Sequence, residues 1–364
     1  MRHLRKYMLG LVALGMAGLL ICLLSPSMAT LPASGCLAFV TLSQDKTAVE
    51  LTHVENGVAG QVEPLASFKP APDGRIFWSP DGKTIISEIN GVLSYWQDYI
   101  IDPDNHTTIQ YEFCSHWGGF KRWTTDSRYA IFECGDQYSD TSTSVFDTWN
   151  WAETINTAEK CPSFGTCRSG LLAVSPASPD ILLKDGTLVH LASLSETAVI
   201  PHLSDADEAA WSPDGEYLAI TQWRGYPECN LYLARGDGAQ AQQISILDSC
   251  FGKPIWEYEG HRMTFQTESY KYILDADSRN LQVLASARQQ ASQITPNDPC
   301  SDVSHFLSGE STLGKVTTAC WSPQKSLLAT GDSNVLKIYD SNLTLLSSLT
   351  VSGTIRQISW SPVQ

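Results

Sequence analysis

Reactive side chains are plentiful in this chain of 364 residues, yet few of them stand at spacings that would make a site. Ten cysteines and eight histidines occur without a Cys-x2-Cys pair or two histidines at ligand spacing, so no metal and no cofactor is expected. Acyl-transfer chemistry finds no Gly-x-Ser-x-Gly elbow, and phosphate finds no glycine-rich loop to cradle it. Asp102-Pro103-Asp104-Asn105 and Asp275-Ala276-Asp277-Ser278 look like fragments of calcium loops but lack the glycine and distal glutamate such a loop needs. Both read better as turns, which Asp and Asn form by bonding their own backbone. His53, His190 and His202 lie in strand-like or loop-like stretches, whereas His116, His261 and His305 have loop neighbours and remain candidates. No acid, base and nucleophile assemble along the chain, so no catalytic residue is assigned.

The cysteines take their meaning from the leader. Arg2, Arg5 and Lys6 precede an apolar run over residues 8–24, and Ser27-Met28-Ala29 forms a small-x-small pattern before Thr30. That is the layout of a secretory signal; left uncleaved, the run would act as a membrane anchor. Ala33-Ser34-Gly35-Cys36 would also suit a lipid-modified cysteine. Residues 1–35 are therefore set apart from the fold, and the remainder is expected outside the cytoplasm, secreted or associated with the envelope. Nine cysteines follow residue 35, and in an oxidising compartment they are expected to be bridged. With its three basic residues removed, the leader leaves 21 Lys and Arg against 39 Asp and Glu, a formal charge of −18. Such a surface disfavours nucleic acid and anionic membranes as partners and keeps a monomer dispersed.

What must position these residues is a repeat. Trp78-Ser79-Pro80-Asp81-Gly82 recurs as Trp211-Ser212-Pro213-Asp214-Gly215, and in shorter form as Trp321-Ser322-Pro323 and Trp360-Ser361-Pro362. Weaker copies begin at Trp123, Val174 and Trp256, so the seven marks are separated by 45, 51, 37, 45, 65 and 39 residues. One four-stranded propeller blade needs roughly 40–45 residues. Within a copy, Pro suits the second position of a type I turn, Asp the third and Gly the fourth, which predicts strand, tight turn, strand. Around residues 36–65 the chain reads as strands two, three and four of a unit without its first, while Thr354 to Trp360 is a first strand with nothing after it. Joined, they complete one blade and remove the exposed edge of an open sheet. The fold predicted over 36–364 is an all-β, seven-bladed propeller of four-stranded antiparallel blades, the first closed by both termini.

The Trp-Ser-Pro-Asp-Gly-Lys/Glu units followed by an apolar strand resemble the TolB-like and WD-repeat-like propeller repeats. Leu336-Lys337-Ile338-Tyr339-Asp340 stands where the WD family places its third strand, although Gly-His pairs and Trp-Asp endings are missing. The resemblance implies architecture and a bias towards binding, since the families that share it include translocation partners, scaffolds and gating propellers of peptidases.

In such a ring the connections between strands two and three, and those between blades, share one face. Cys114, Cys134, Cys161, Cys167, Cys229 and Cys250 map there, which suggests the bridges Cys114–Cys134, Cys161–Cys167 and Cys229–Cys250. Cys300, in an insertion over about 288–314, and Cys320, in an inner strand near the opposite face, are left unpaired, and Cys36 is the odd one out. The motif tryptophans read as wedges between sheets. Tyr138, Trp223, Arg224 and Tyr226, together with His305 of the insertion, are the candidate binding residues, being large or charged side chains on loops of the cysteine-bearing face. The function expected is that of an exported binding or scaffold propeller without catalysis. A propeller hydrolase or lyase with a polar site at the channel is the alternative, and a passive tethered module a third.

Overall fold

The computed structural model describes residues 34–71, 73–90, 96–111, 117–135, 141–157, 170–199, 206–225, 228–247, 254–258, 260–267, 270–286, 300 and 316–362. Among them are 28 strands in seven antiparallel four-stranded sheets, a seven-bladed propeller as the repeat predicts. Among the described residues no helix is long and apolar enough to cross a membrane, and residues 8–24 lie outside them.

The first blade joins β1 (Gly35–Leu42), β2 (Thr47–Glu55) and β3 (Val58–Phe68) to β28 (Thr354–Trp360) in the order β28-β1-β2-β3. Its closing register runs from Leu37 opposite Trp360 to Leu42 opposite Thr354. The second blade is β4 (Gly74–Trp78), β5 (Ile85–Asn90), β6 (Trp96–Asp102) and β7 (Thr107–Tyr111). The third is β8 (Trp117–Trp123), β9 (Tyr129–Gly135), β10 (Thr141–Asp147) and β11 (Ala152–Asn156). Blade four runs from β12 (Leu171–Val174) to β15 (Ser195–Ala198). Blade five is β16 (Ala206–Trp211), β17 (Tyr217–Gly225), β18 (Glu228–Arg235) and β19 (Gln242–Leu247). Blade six is β20 (Ile255–Trp256), β21 (Arg262–Gln266), β22 (Tyr270–Asp275) and β23 (Asn280–Ser286), and blade seven runs from β24 (Thr318–Trp321) to β27 (Leu345–Thr350).

Period-two alternation places the core between blades rather than inside one. Tyr217 and Ala219 of β17 pack with Met263 and Phe265 of the sixth blade, whereas Leu218 and Ile220 turn the other way onto Leu182 and Leu188 of the fourth. The fifth sheet is thus apolar on both faces and packs between its two neighbours.

The repeated motif supplies the turn and the rivet. Gly82 N–H donates to the Ser79 carbonyl (2.9 Å), closing the type I turn, and Gly82 and Gly215 take φ of +69° and +76°, where a side chain is disfavoured. Ser79 and Ser212 hydroxyls accept the N–H of Thr84 and Tyr217 and donate to Asp81 and Asp214, which explains the Ser-x-Asp spacing. Three of the motif tryptophans reach backwards around the ring, whereas Trp211 bonds the Gly236 carbonyl of its own blade and Trp123 Nε1 is buried without a partner among the described residues. Trp78, Trp256 and Trp360 each donate their indole N–H to the carbonyl just before the motif Trp of the preceding blade, at Ser359, Ala210 and Cys320, 3.0–3.3 Å away. Burying an indole with its N–H satisfied is what makes Trp the residue of choice there.

Candidate functional site

Among the described residues, two of the polar clusters at the blade seams gather titratable side chains from several strands. One lies between blades five and six, on the face of the strand-one-to-two and three-to-four turns. The second Trp-Ser-Pro-Asp-Gly copy holds Asp214 Oδ1 with the Ser212 hydroxyl (2.6 Å) and the Glu216 N–H (3.0 Å), leaving Oδ2 for the next blade. There the degenerate copy of blade six ends at His261, immediately before β21. Its Nε2 stands 2.6 Å from Asp214 Oδ2, and its Nδ1 2.8 Å from Oδ1 of Asp277, in the turn between β22 and β23. Tyr217 donates its hydroxyl to the same Asp277 oxygen (2.8 Å) and sets its ring edge-on to the imidazole. Arg235 lies over the other side of that tyrosine, 4.9 Å from its centroid and 3.5 Å from Glu216.

Both imidazole nitrogens therefore face carboxylate oxygens, which accept and cannot donate. With an N–H turned to each carboxylate, His261 carries both ring protons and is an imidazolium. The electrostatics agree: the hydrogen bond to Asp214, aided by that to Asp277, raises the histidine above its ordinary range. Burial works to raise Asp214, but the bonds from Ser212, the Glu216 backbone and His261 outweigh it and hold that carboxyl at about 2. Bonds from His261 and Tyr217 lower Asp277 as well. One ligand atom each from Asp214, Glu216 and His261 lies within 4.8 Å of the others. The sequence offers no metal spacing; folding brings three ligand types together from two blades.

The second cluster is a row across blade two. Arg75, Glu88, Asp98 and Tyr111 are successive cross-strand partners on β4, β5, β6 and β7, so all four point at blade three. Glu88 is 5% and Asp98 3% exposed. Glu88 Oε1 accepts the Phe120 N–H (2.6 Å), Arg75 lies 4.0 Å from Oε2, and Tyr111 bonds Ser144 and Glu153. Asp98 Oδ1 is buried without a hydrogen-bond partner among the described residues. Burial, then the charge on Glu88, push the Asp98 carboxyl up to about 8, so it keeps its proton at neutral pH. Gly119 makes room for it, since a Cβ there would fall on Glu88 Oε1.

Of the residues the sequence singles out for binding, Trp223 stands on the loop-face end of β17 and is 56% exposed. Its cross-strand partner is Cys229, which is buried and disulfide-bonded. Arg224 lies in the same strand, its side chain not described; Tyr138, Tyr226 and His305 lie outside the described residues, as do His116, His202, Cys114, Cys161, Cys167 and Cys250. Cys134 pairs with Ser142 in blade three. The sequence leaves Cys300 and Cys320 apart on the ground that they belong to opposite faces; the structure joins them, Cα atoms 4.1 Å apart. Cys300 lies inward, its sulfur beside the Ile358 carbonyl of β28. Cys36 is a free thiol, 3.2 Å from His53 Nδ1. His190 is tied to Asp180 within its own blade (3.1 Å).

Sequence reasoning keeps His261 as a loop histidine and reads Asp277 as a turn former, but does not join them. The available signal was that Asp214 and His261 flank equivalent turns of consecutive copies, which a propeller sets side by side.

No protein-family description matches the chain, and no curated protein does. Solved structures do. TolB from Acinetobacter baumannii is 12% identical over 90% of this chain, at a TM-score of 0.33, and the chain covers 66% of that protein's length. The periplasmic gluconolactonase of Pseudomonas aeruginosa is 12% identical, covering 91% of this chain and 100% of its own, at 0.38. Dihydro-heme d1 dehydrogenase is 16% identical, covering 89% and 75%, at 0.42. The propeller assignment rests on the seven sheets and their closure.

Proposed function

We propose that this protein is an exported, monomeric propeller that binds a macromolecule or ligand through the face that bears its disulfides. The observation that carries the reading is Trp223: a large aromatic side chain more than half exposed, on a hairpin anchored by a buried, bridged Cys229. Exposed tryptophan on a rigid support is the usual form of a binding anchor, because little conformational freedom remains to be lost. Disulfide-bonded Cys229, Cys300 and Cys320 support a compartment outside the cytoplasm, in keeping with the basic-then-apolar leader. A hydrolase or lyase at the channel would need titratable groups converging at its mouth; the two polar clusters described above lie at blade seams instead.

Capture of partners from the native envelope or medium, by wild type and by Trp223→Ala, tests this. The variant should lose the captured species while its melting temperature stays within about a degree of wild type, as a surface change away from the core permits. Equal capture by both would dismiss the face. Intact-mass measurement of the native protein shows whether residues 8–24 or a lipid on Cys36 tether it.

A further inference from the structure

We infer that Asp214, Glu216 and His261 form a divalent transition-metal site, of the class zinc occupies, at the turn-face seam of blades five and six. An imidazole nitrogen and two carboxylate oxygens are a common donor set for such ions. Three features raise this cluster above a chance gathering of surface charge. The ring is oriented from behind: Asp277 accepts the Nδ1 proton at 2.8 Å, which holds the ring with Nε2 towards Asp214, the carboxylate–histidine arrangement that supports metal ligands. Asp277 is itself held by the Tyr217 hydroxyl. Asp214 is likewise committed, with Oδ1 saturated by Ser212 and the Glu216 N–H and only Oδ2 presented.

The comparison within the ring is the second observation. Asp81 and Asp126 make the same hydroxyl contact, with Ser79 (2.7 Å) and Thr124 (2.5 Å), but among the described residues no histidine meets either. The turn alone therefore does not call for His261. Nε2 and Asp214 Oδ2 face each other 2.6 Å apart, and one oxygen of Glu216 lies within 4.8 Å of both, so a metal bound by the three would take the place of the proton in that hydrogen bond. Glu216, 3.5 Å from Arg235, offers the third ligand atom. Asp275 and Arg262 are the remaining charges nearby, acting on the histidine's neighbours from β21 and β22.

Zinc titration by calorimetry, with melting followed in parallel, tests the assignment. The purified protein should carry Cys36→Ser, because the thiol and His53 offer zinc a rival pair. The expected result is saturable binding of one zinc ion and a rise in melting temperature that a chelator reverses. His261→Gln should abolish both. Asp277→Asn, which touches no metal, should weaken affinity ~10–100-fold, and Asp81→Asn should leave it unchanged. Absence of saturable binding in the folded protein would overturn the assignment and leave His261 an imidazolium clamp. Binding that survives His261→Gln, or that falls equally in Asp81→Asn, would overturn it too.

Discussion

Replacing Asp98 by Asn should flatten the pH dependence of this protein's stability. The carboxyl is buried beside Glu88 with one oxygen unpartnered, and burial together with that neighbouring charge raises it from 3.8 to about 8. In the unfolded chain the group ionises near its ordinary value of about 3.9. Between those limits the folded state keeps a proton that the unfolded chain has released, so stability is fully present below about pH 4 and declines as pH rises towards 8. About 4 pH units at ~1.4 kcal/mol each give a loss on the order of 6 kcal/mol across the window. Asn is nearly isosteric with the protonated acid and has no proton to retain. The variant should therefore match wild type below about pH 4 and gain on it by ~1.4 kcal/mol for each unit above that. Urea unfolding followed by tryptophan fluorescence at about pH 4.5, 6 and 7.5 reads this as a widening gap between midpoints. Glu88→Gln should lower the upper limit of the window, because it removes the second cause. A gap that stays constant over the three pH values would refute the reasoning, since Asp98 would then be ionised in the fold.

Gly119→Ala should cost ~1–3 kcal/mol through overpacking of that same pair, read as a lower urea midpoint, because the new methyl group falls on Glu88 Oε1. Removing the Cys300–Cys320 bridge, whose cysteines are 20 residues apart, should cost ~3 kcal/mol by the loop-entropy estimate, measured on the double serine variant. Trp360→Phe, which deletes the indole bond to the Cys320 carbonyl, should cost ~1 kcal/mol or more by thermal melting. Deleting residues 354–364 should remove the cooperative transition and leave a protein that aggregates, since it bares the whole edge of β1.

How much of this was legible in the sequence differs between scaffold and site. The turns were readable because Ser-Pro-Asp-Gly is local chemistry, and the closure because a lone first strand and a blade lacking one are complementary. Trp78, Trp256 and Trp360 were correctly placed between sheets, though their N–H acceptors lie in another blade and leave no local trace. The site was largely hidden for the same reason. Asp214 and His261 are 47 residues apart and Asp277 a further turn away, so no window along the chain contains them. Cys300 and Cys320 were missed for a different cause: topology assigns faces to regular connections, but a long insertion can fold back to an inner strand. Arg75, Glu88, Asp98 and Tyr111 sit in four separate strands, and only the register reveals that they line up.

Because Leu37 finds its partner in Trp360, more than three hundred residues later, the first sheet is also the last to be finished. A chain delivered head first across a membrane cannot latch its ring until the tail has followed. Until then β1 offers a vacant rung to any extended segment nearby. The same feature brings Ser361 to the start of the first blade, where its N–H donates to the Cys36 carbonyl at 2.8 Å.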